Sequence, residues 1–414
     1  MKKILLILAA FSVLALAACN GGNDEFVIKV GYWYSNENEK NNNQIIMDEF
    51  MKLYPEYEVE MVYIPYGSYS EQVLSMSVAN NLPDVIWVVE DYLPTFANKG
   101  IIENLEPYLE ADEDYDASVF FDNALAFTQV DGVQYALPRD IGVQVMAYNK
   151  TLFDAQSIAY PESGWTWDDM ISIGQQLTIT TNDRISQYGL GWLDYEALIY
   201  SNKGQMFNED GTDAYFDSAE TVEALQLYSD LVNTYHISPT AAESQGLGNV
   251  FFGQTAAMTL VGPWDFSILQ KSGIDYDVVE FPDGNNGESL MRLSGLPVAM
   301  NSRSDKKDIA YELIKFLTTN ETAQTMLAEY GIAMPAVESI ARSEVYTNSS
   351  IVPDSMDNYF NALANTQVIP HFEKEIEAIN AFNPYLDEIY LGDKTAEQLK
   401  NTIQEAVLAV LNEN

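Results

Sequence analysis

The chain carries little sulfur or imidazole chemistry: 414 residues include one cysteine, Cys19, and two histidines, His236 and His371. With no second cysteine to form an internal disulfide, the fold must be held by burial alone. No Gly-x-Ser-x-Gly elbow, HExxH zinc motif or glycine-rich phosphate loop occurs, so the usual sequence marks of nucleophilic, metal-assisted and phosphoryl-transfer chemistry are missing. Basic residues are scarce as well, with 20 Lys plus Arg against 62 Asp plus Glu and a formal charge of −42. Such a field repels nucleic acid and anionic lipid surfaces and disfavours anionic ligands, leaving a neutral or cationic ligand. Beyond the N-terminal run Ile4 to Ala18, no apolar stretch of about 18 residues follows that could span a bilayer. No internal repeat or long low-complexity segment interrupts the chain.

A hydrophobic fraction of 47% rules out a disordered chain, and the length is too great for one ordinary core, so two or three domains are expected. Lys2 and Lys3 followed by the short apolar run have the form of a secretion signal over 1–18. Leu16-Ala17-Ala18-Cys19 resembles the lipobox of bacterial lipoproteins. That resemblance implies cleavage before Cys19, thioether lipidation of its sulfur with palmitate among the acyl groups, and a tether over 19–25 whose Asn20 to Asp24 are flexible.

The next segments read as strand, helix, strand, helix, strand. Phe26 to Tyr34 alternates as a strand, Ser35 to Asn43 is a polar loop, and Ile45 to Tyr54 is an amphipathic helix ended by Pro55. Val59 to Ile64 is a second strand, Ser68 with Glu71 forms a capping box for a second helix, and Asp84 to Val89 is a strand buried on both faces. Such an order implies crossovers and a parallel sheet, with ligands meeting the carboxyl ends at Tyr34 to Asn36, Tyr66 to Tyr69 and Glu90 to Tyr92. The acidic run Asp112 to Asp116 lacks the glycine and terminal glutamate of a calcium loop and reads as a solvated face.

Further on, Asp131 to Pro138 is a turn and a strand broken by proline, continuing through Arg139 and Asp140 to a strand Val143 to Tyr148. Trp165 to Met170 holds a capping box, Thr166 with Asp169, and a hydrophobic staple, Trp165 with Met170. In Tyr188-Gly189-Leu190-Gly191-Trp192 the glycines bring backbones close, and Trp192 is expected to face the same crevice as a second aromatic wall. Asp217 to Tyr235 is an amphipathic helix capped by Asp217 and Glu220, and Thr395 with Gln398 caps a C-terminal helix. Between them, Gly248 to Phe266 reads as a short helix Asn249 to Phe252, a strand Ala256 to Val261, and a Gly262-Pro263-Trp264 exit that presents an indole. His236 and His371 read as surface or hydrogen-bonded histidines.

Four stretches together resemble the extracellular solute-binding proteins of ABC transporters, family 1, the group that includes maltose-binding protein. They are Gly248 to Phe266, Pro83 to Leu105, the DGxxYALP…YNK run Asp131 to Lys150, and the helical Ser304 to Pro335. The resemblance implies an α/β, two-lobed periplasmic-binding-protein-like fold of type II, each lobe a mostly parallel sheet flanked by helices, with a cleft between. Residues 26–138 and 293–335 would form the first lobe and 139–292 with 336–414 the second, crossing near Pro138, Arg292 and Met334 to Ser339.

In that family the tryptophan matching Trp264 stacks on a sugar and an acid matching Asp91 bonds a sugar hydroxyl. A sugar offers apolar C–H faces and a rim of hydroxyls, which aromatic rings and charged groups satisfy in turn. The candidate ligand-binding residues are Tyr34, Asn36, Tyr66, Asp91, Tyr92, Arg139, Asp140, Trp192, Trp264 and Asp265. The implied function is an extracytoplasmic binding protein, a monomer anchored to the outer face of the cell membrane through Cys19. It captures a sugar or oligosaccharide between its lobes and delivers it to an ABC permease, with no catalytic residue, metal, cofactor or nucleic-acid partner. The competing readings are an extracytoplasmic glycosidase, which needs two carboxyls across the scissile bond, and a carbohydrate-sensing lipoprotein.

Overall fold

A computed structural model describes residues 26–34, 36–247, 249–369 and 371–413. The leader, the lipidation at Cys19 and the tether lie outside the described residues. Among the described residues no helix is long and apolar enough to cross a membrane.

Strand β1 (Val27–Tyr32) buries Ile28 and Val30 and leaves Lys29 exposed between them. Helix Glu37–Leu53 follows directly, where a polar loop through Asn43 was expected. Asn36 caps it, its Oδ1 accepting the N–H groups of Asn38 and Glu39 at 3.1 Å, and Glu37 and Glu39 suit the positive end of the helix dipole. The apolar face that marks a helix begins only at Ile46, with Met47 and Phe50, so the first two turns are invisible to periodicity. Strand β2 (Glu58–Tyr63) leads through a 3-10 turn, Tyr66–Ser68, straight into helix Tyr69–Val78. The capping box expected there does not form, because the chain arrives already coiled, and Ser68 Oγ instead accepts from Gln72 Nε2 at 2.7 Å. Strand β3 (Val85–Trp87) is buried throughout.

Strands β4 (Gln129–Val130) and β5 (Val133–Gln134) form a tight hairpin whose two turn residues, Asp131 and Gly132, have φ of 50° and 77°. Strand β6 (Ala136–Gly142) then runs unbroken through Pro138, contrary to expectation, because its partner across the ladder is Pro297 and neither residue supplies an N–H. The chain continues as β7 (Val145–Asn149), β8 (Ile179–Thr181), β9 (Arg184–Leu190), β10 (Ala256–Val261) and β11 (Tyr276–Val279). The last three are β12 (Met291–Arg292), β13 (Ser294–Met300) and β14 (Thr366–Gln367).

Among the described residues the larger sheets are two of five strands, in the orders β2-β1-β3-β13-β6 and β11-β7-β10-β9-β8. The α/β expectation holds, but the sheets are mixed and not mostly parallel. β1 runs parallel to β2 and β3, whereas β13 is antiparallel to both β3 and β6. In the second sheet only the β9–β10 pair is parallel. β13 and β7, which enter their sheets at a crossing from the other sheet, run opposite to their neighbours, and β8 is antiparallel to β9 because the two form a local hairpin.

Each sheet has its own core. One gathers buried side chains from Ile28 to Leu137 and from Leu296 to Ile332, centred on Trp87 and Phe50. The other runs from Phe120 to Val407, with Phe153, Phe251 and Phe382 fully buried, and takes in Phe120, Phe121 and Phe127 from ahead of β6. The capping boxes expected at Thr166 with Asp169 and Thr395 with Gln398 both form on helices of this second body. Helix Ala219–Asn233 is capped one residue later than expected, by Ser218, whose side chain accepts from Thr221 N–H. Asn249 to Phe252 is a turn and not a helix, since the Asn249 side chain takes the N–H groups of Phe251 and Phe252 at 3.0 and 3.1 Å.

Three segments run side by side where the two bodies meet. The end of β6 pairs with the start of β13, Gly142 opposite Ser294 and Ile141 opposite Gly295. Met334 to Ala336 lies along the other edge of β6, Ile141 N–H donating to the Met334 carbonyl and Ala336 N–H to that of Arg139. Buried Gln324 staples this edge, its amide donating to the Arg139 carbonyl at 2.8 Å and its oxygen accepting from Val337 N–H at 3.2 Å. Gly295 is required here, because a Cβ would sit 2.2 Å from the Asp140 carbonyl oxygen.

Candidate functional site

A cavity of about 540 Å³ opens beside this three-segment junction, walled by residues from both sheets. Strand β10 supplies its aromatic ledge. The strand is buried along its whole length, Gly262-Pro263 ends it, and a 3-10 turn, Pro263–Asp265, sets Trp264 on the cavity wall with 42% of its surface exposed. The indole lies over Gly262, where a Cβ would be 2.3 Å from the ring, so glycine is what lets the ring fold back. Asp265 also lines the cavity, but its Oδ2 accepts Gly262 N–H at 3.0 Å and closes the turn. Burial pushes its carboxyl up to about 6, against the pull of that N–H.

Facing surfaces come from the carboxyl ends of the first sheet. Tyr34 and Tyr66 line the cavity, Tyr34 lying 4.3 Å from the Tyr63 ring and Tyr66 5.4 Å from that of Trp33. Trp33, which the sequence reading passed over for its neighbour, also lines the space and is wedged edge-on against Trp87 and Tyr69 at 5.2 and 4.8 Å. Asn36 is on the wall, although its side-chain oxygen is occupied as the helix cap. Asp91 lines the cavity too.

Tyr92 and Trp192 are not among the lining residues. Tyr92 packs its ring 5.8 Å from Phe96. At Trp192 the chain has left β9, which ends at Leu190. The residue engages through its backbone, its carbonyl accepting from Thr259 Oγ1 and Leu260 N–H, and its ring is exposed. Two residues on, Asp194 caps helix Tyr195–Ser201, and it is Asp194 and Glu196 that enter the wall.

Arg139 and Asp140 line the cavity as a tight buried pair. Arg139 Nε and Nη2 each lie 2.9 Å from Asp140 Oδ2, Nη1 donates to Asn43 Oδ1 at 3.2 Å, and the guanidinium sits 4.3 Å from the Trp87 ring centre. Burial pushes the Asp140 carboxyl up, and Arg139 opposes the push.

Arg292, read from sequence only as a crossing point, is held differently. Its Nη2 is 3.4 Å from Glu90, and its Nη1 is 3.6 Å from both Asp91 and Glu196, so it draws on carboxylates of both bodies. Burial disfavours its charge, but Glu90, Glu196 and Asp91 outweigh that and hold it firmly cationic. Glu196 is pushed up to about 7, by burial first, with Asp194 adding to the push and Arg292 opposing it. Burial raises Asp194 and Glu90 as well. Among the described residues seven carboxylates and three cations line the cavity, a surplus that disfavours an anionic guest. Arg292 and Glu196 stand about a hundred residues apart in sequence, and no local pattern marks them as neighbours.

Residues 36–324 match the profile of the bacterial extracellular solute-binding proteins. A maltotriose-binding protein of Pyrococcus abyssi is 22% identical over 405 residues, spanning 95% of this chain and 83% of its own length. A galactooligosaccharide-binding protein of Bacillus subtilis is 22% identical over 321 residues, 76% of this chain and 74% of that one. Among solved structures, an ABC substrate-binding protein from Listeria monocytogenes in complex with cycloalternan has the same fold, with a TM-score of 0.86 at 23% identity over 94% of this chain and 99% of the other. The maltose/maltodextrin-binding domain from Bdellovibrio bacteriovorus bound to maltotriose matches with a TM-score of 0.79 at 16% identity, over 94% and 100% of the two chains.

Proposed function

The chain belongs to the bacterial extracellular solute-binding protein family, and from that premise we propose that it captures a sugar or oligosaccharide in the cavity between its lobes and hands it to an ABC permease. The observation that carries this reading is the composition of the cavity: an indole on a glycine ledge faces tyrosines and a second indole across a space also lined by carboxylates of both bodies. Trp264, Trp33, Tyr34 and Tyr66 cover the C–H faces of the saccharide, while Asp91, Glu196 and Arg292 take its hydroxyls. Asn36, Arg139, Asp140 and Asp265 shape the wall with their own groups already bonded, and Tyr92 and Trp192 stand apart from it. The acidic surplus favours a neutral or amine-bearing saccharide over a uronic acid.

Because the contacts come from two bodies, the ligand gains more of them when the cleft is closed, and that difference shifts the equilibrium. A hundredfold bias toward closure needs about 2.7 kcal/mol, which two or three hydrogen bonds provide. We assign residues 26–138 and 293–335 to one lobe and 139–292 and 336–414 to the other. Cys19 carries the lipid that holds the protein, a monomer, on the outer face of the membrane. The role is binding without catalysis, in keeping with relatives that are binding proteins.

Titration with maltotriose, a galactooligosaccharide and monosaccharides, followed by tryptophan fluorescence with product analysis, tests the reading. Saturable binding with the sugar recovered intact is expected. Cleaved sugar would return the glycosidase reading, and no response across the panel would remove saccharides as the ligand class.

A further inference from the structure

His371 is buried behind the cavity, with 8% of its side chain exposed. Its Nδ1 lies 2.7 Å from Glu375 Oε2 on the helix that follows and 3.7 Å from Asp91 Oδ1. That Asp91 oxygen is enclosed and, among the described residues, has no hydrogen-bond partner; it rests between the imidazole and Arg292 Nη1, 3.6 Å away. The remainder of the Asp91 side chain, 35% exposed, is what the carboxylate offers to the cavity.

We propose that His371 is a positioning residue for ligand capture: anchored by Glu375, its imidazole holds the Asp91 carboxylate turned toward the cavity to accept a ligand hydroxyl. This rests on the saccharide reading above. The need for a second cation follows from the crowding. Asp91 shares Arg292 with Glu90 and Glu196, and one guanidinium at 3.4 to 3.6 Å from three carboxylates cannot give each a close bond.

Charged groups face the imidazole from each element packed on it. Asp91 and Glu90 come from the turn after β3, Arg292 from β12, and Glu375 from its own helix. The same chain segment touches the first lobe again through Glu373, whose carboxylate is 3.2 Å from Lys99 and whose carbonyl accepts from Thr95 Oγ1 at 3.4 Å. Burial works against charge on His371, but Glu375 and then Asp91 outweigh it and push the imidazole up to about 9. The ring is therefore cationic at neutral pH and loses its charge on the alkaline side, clear of the Glu196 titration near 7.

Calorimetric titration of maltotriose and of a galactooligosaccharide into the wild type and His371→Gln between pH 6 and 10 tests this. The wild type should bind about fivefold to tenfold more tightly than the variant at pH 7 and fall to its level above pH 9, while the variant stays flat from pH 8 to 10. Equal affinities at pH 7, or an alkaline fall retained by the variant, would overturn the proposal. Should His371→Gln fail to fold, Glu375→Gln keeps the ring and removes its anchor, so the fall must move to lower pH; an unmoved fall contradicts it. If neither saccharide binds the wild type, the ligand reading fails on its own. Proton NMR of the His371 ring in the ligand-free protein then decides, with Asp91→Asn lowering the ring's titration midpoint or, by leaving it unchanged, overturning the link.

Discussion

Two arginines stand on the same cavity wall in opposite conditions. Arg139 spends its donors at short range on Asp140 and Asn43 and lays its plane on Trp87. Arg292 touches three carboxylates from two lobes, none closer than 3.4 Å, and its Nε donates to Ser294 Oγ at 3.4 Å. The first is a brace inside the junction strand β6, and the second is held only by longer contacts that reach into both bodies. Residue type and proximity to the cleft do not separate these roles; bond length and the number of competing partners do.

The comparison breaks first at Arg139. Arg139→Ala leaves Asp140 buried without its cation and should cost about 3 to 5 kcal/mol of stability in denaturant unfolding. A stable variant that had lost only affinity would reverse the two roles. The Arg292 side is also the side that titrates within the working range. His371, raised from its ordinary 6.5 to about 9, adds stability that is complete below about pH 6.5 and lost as the pH rises through 9. Glu196, raised to about 7, and Asp265, raised to about 6, hold protons in the folded state that the unfolded chain releases, so they too favour the fold at lower pH. Thermal scans should therefore show the melting temperature falling from pH 5.5 to 9.5, with the His371 share up to about 3 kcal/mol. A rise over that range would contradict the assignment.

Trp264→Ala comes next, with affinity weakened by about 2 kcal/mol, some thirtyfold, and little change in melting temperature because the ring is half exposed. A matching loss of stability would make the indole a core residue. Arg292→Gln should weaken binding by about 1 kcal/mol and, because it leaves buried Glu90 without its cation, also cost stability, though less than Arg139→Ala since its contacts are 3.4 to 3.6 Å and not 2.9 Å. Smallest of all is Trp192→Ala: its ring is solvent-exposed and its backbone bonds survive, so affinity should change by less than about twofold.

Strand β10 was legible to the residue, because an almost wholly apolar run lies between the turn at Gly253 and Gly262-Pro263. The capping boxes at Thr166 and Thr395 were legible because their bonds are local. Asn36 was legible as a polar residue on the cavity wall, but not as the cap of the first helix, since a cap and a ligand contact draw on the same residue type. Half of the first helix was missed because its opening turns bury little and carry no apolar period. Trp192 was placed by extending β9 two residues beyond its end. Arg292 and His371 carried no signal of the cavity: the Asp91 that both approach lies in the turn after β3, some two hundred residues or more away in sequence, and only the three-segment junction brings them together.

Small-angle X-ray scattering on the protein alone and with a saturating saccharide tests the central claim most directly. Contacts drawn from both lobes predict a smaller radius of gyration when ligand is bound, and a Trp264→Ala protein that needs far more ligand to reach it. A saccharide that binds tightly while the radius of gyration stays fixed would place its site within one lobe and contradict the account.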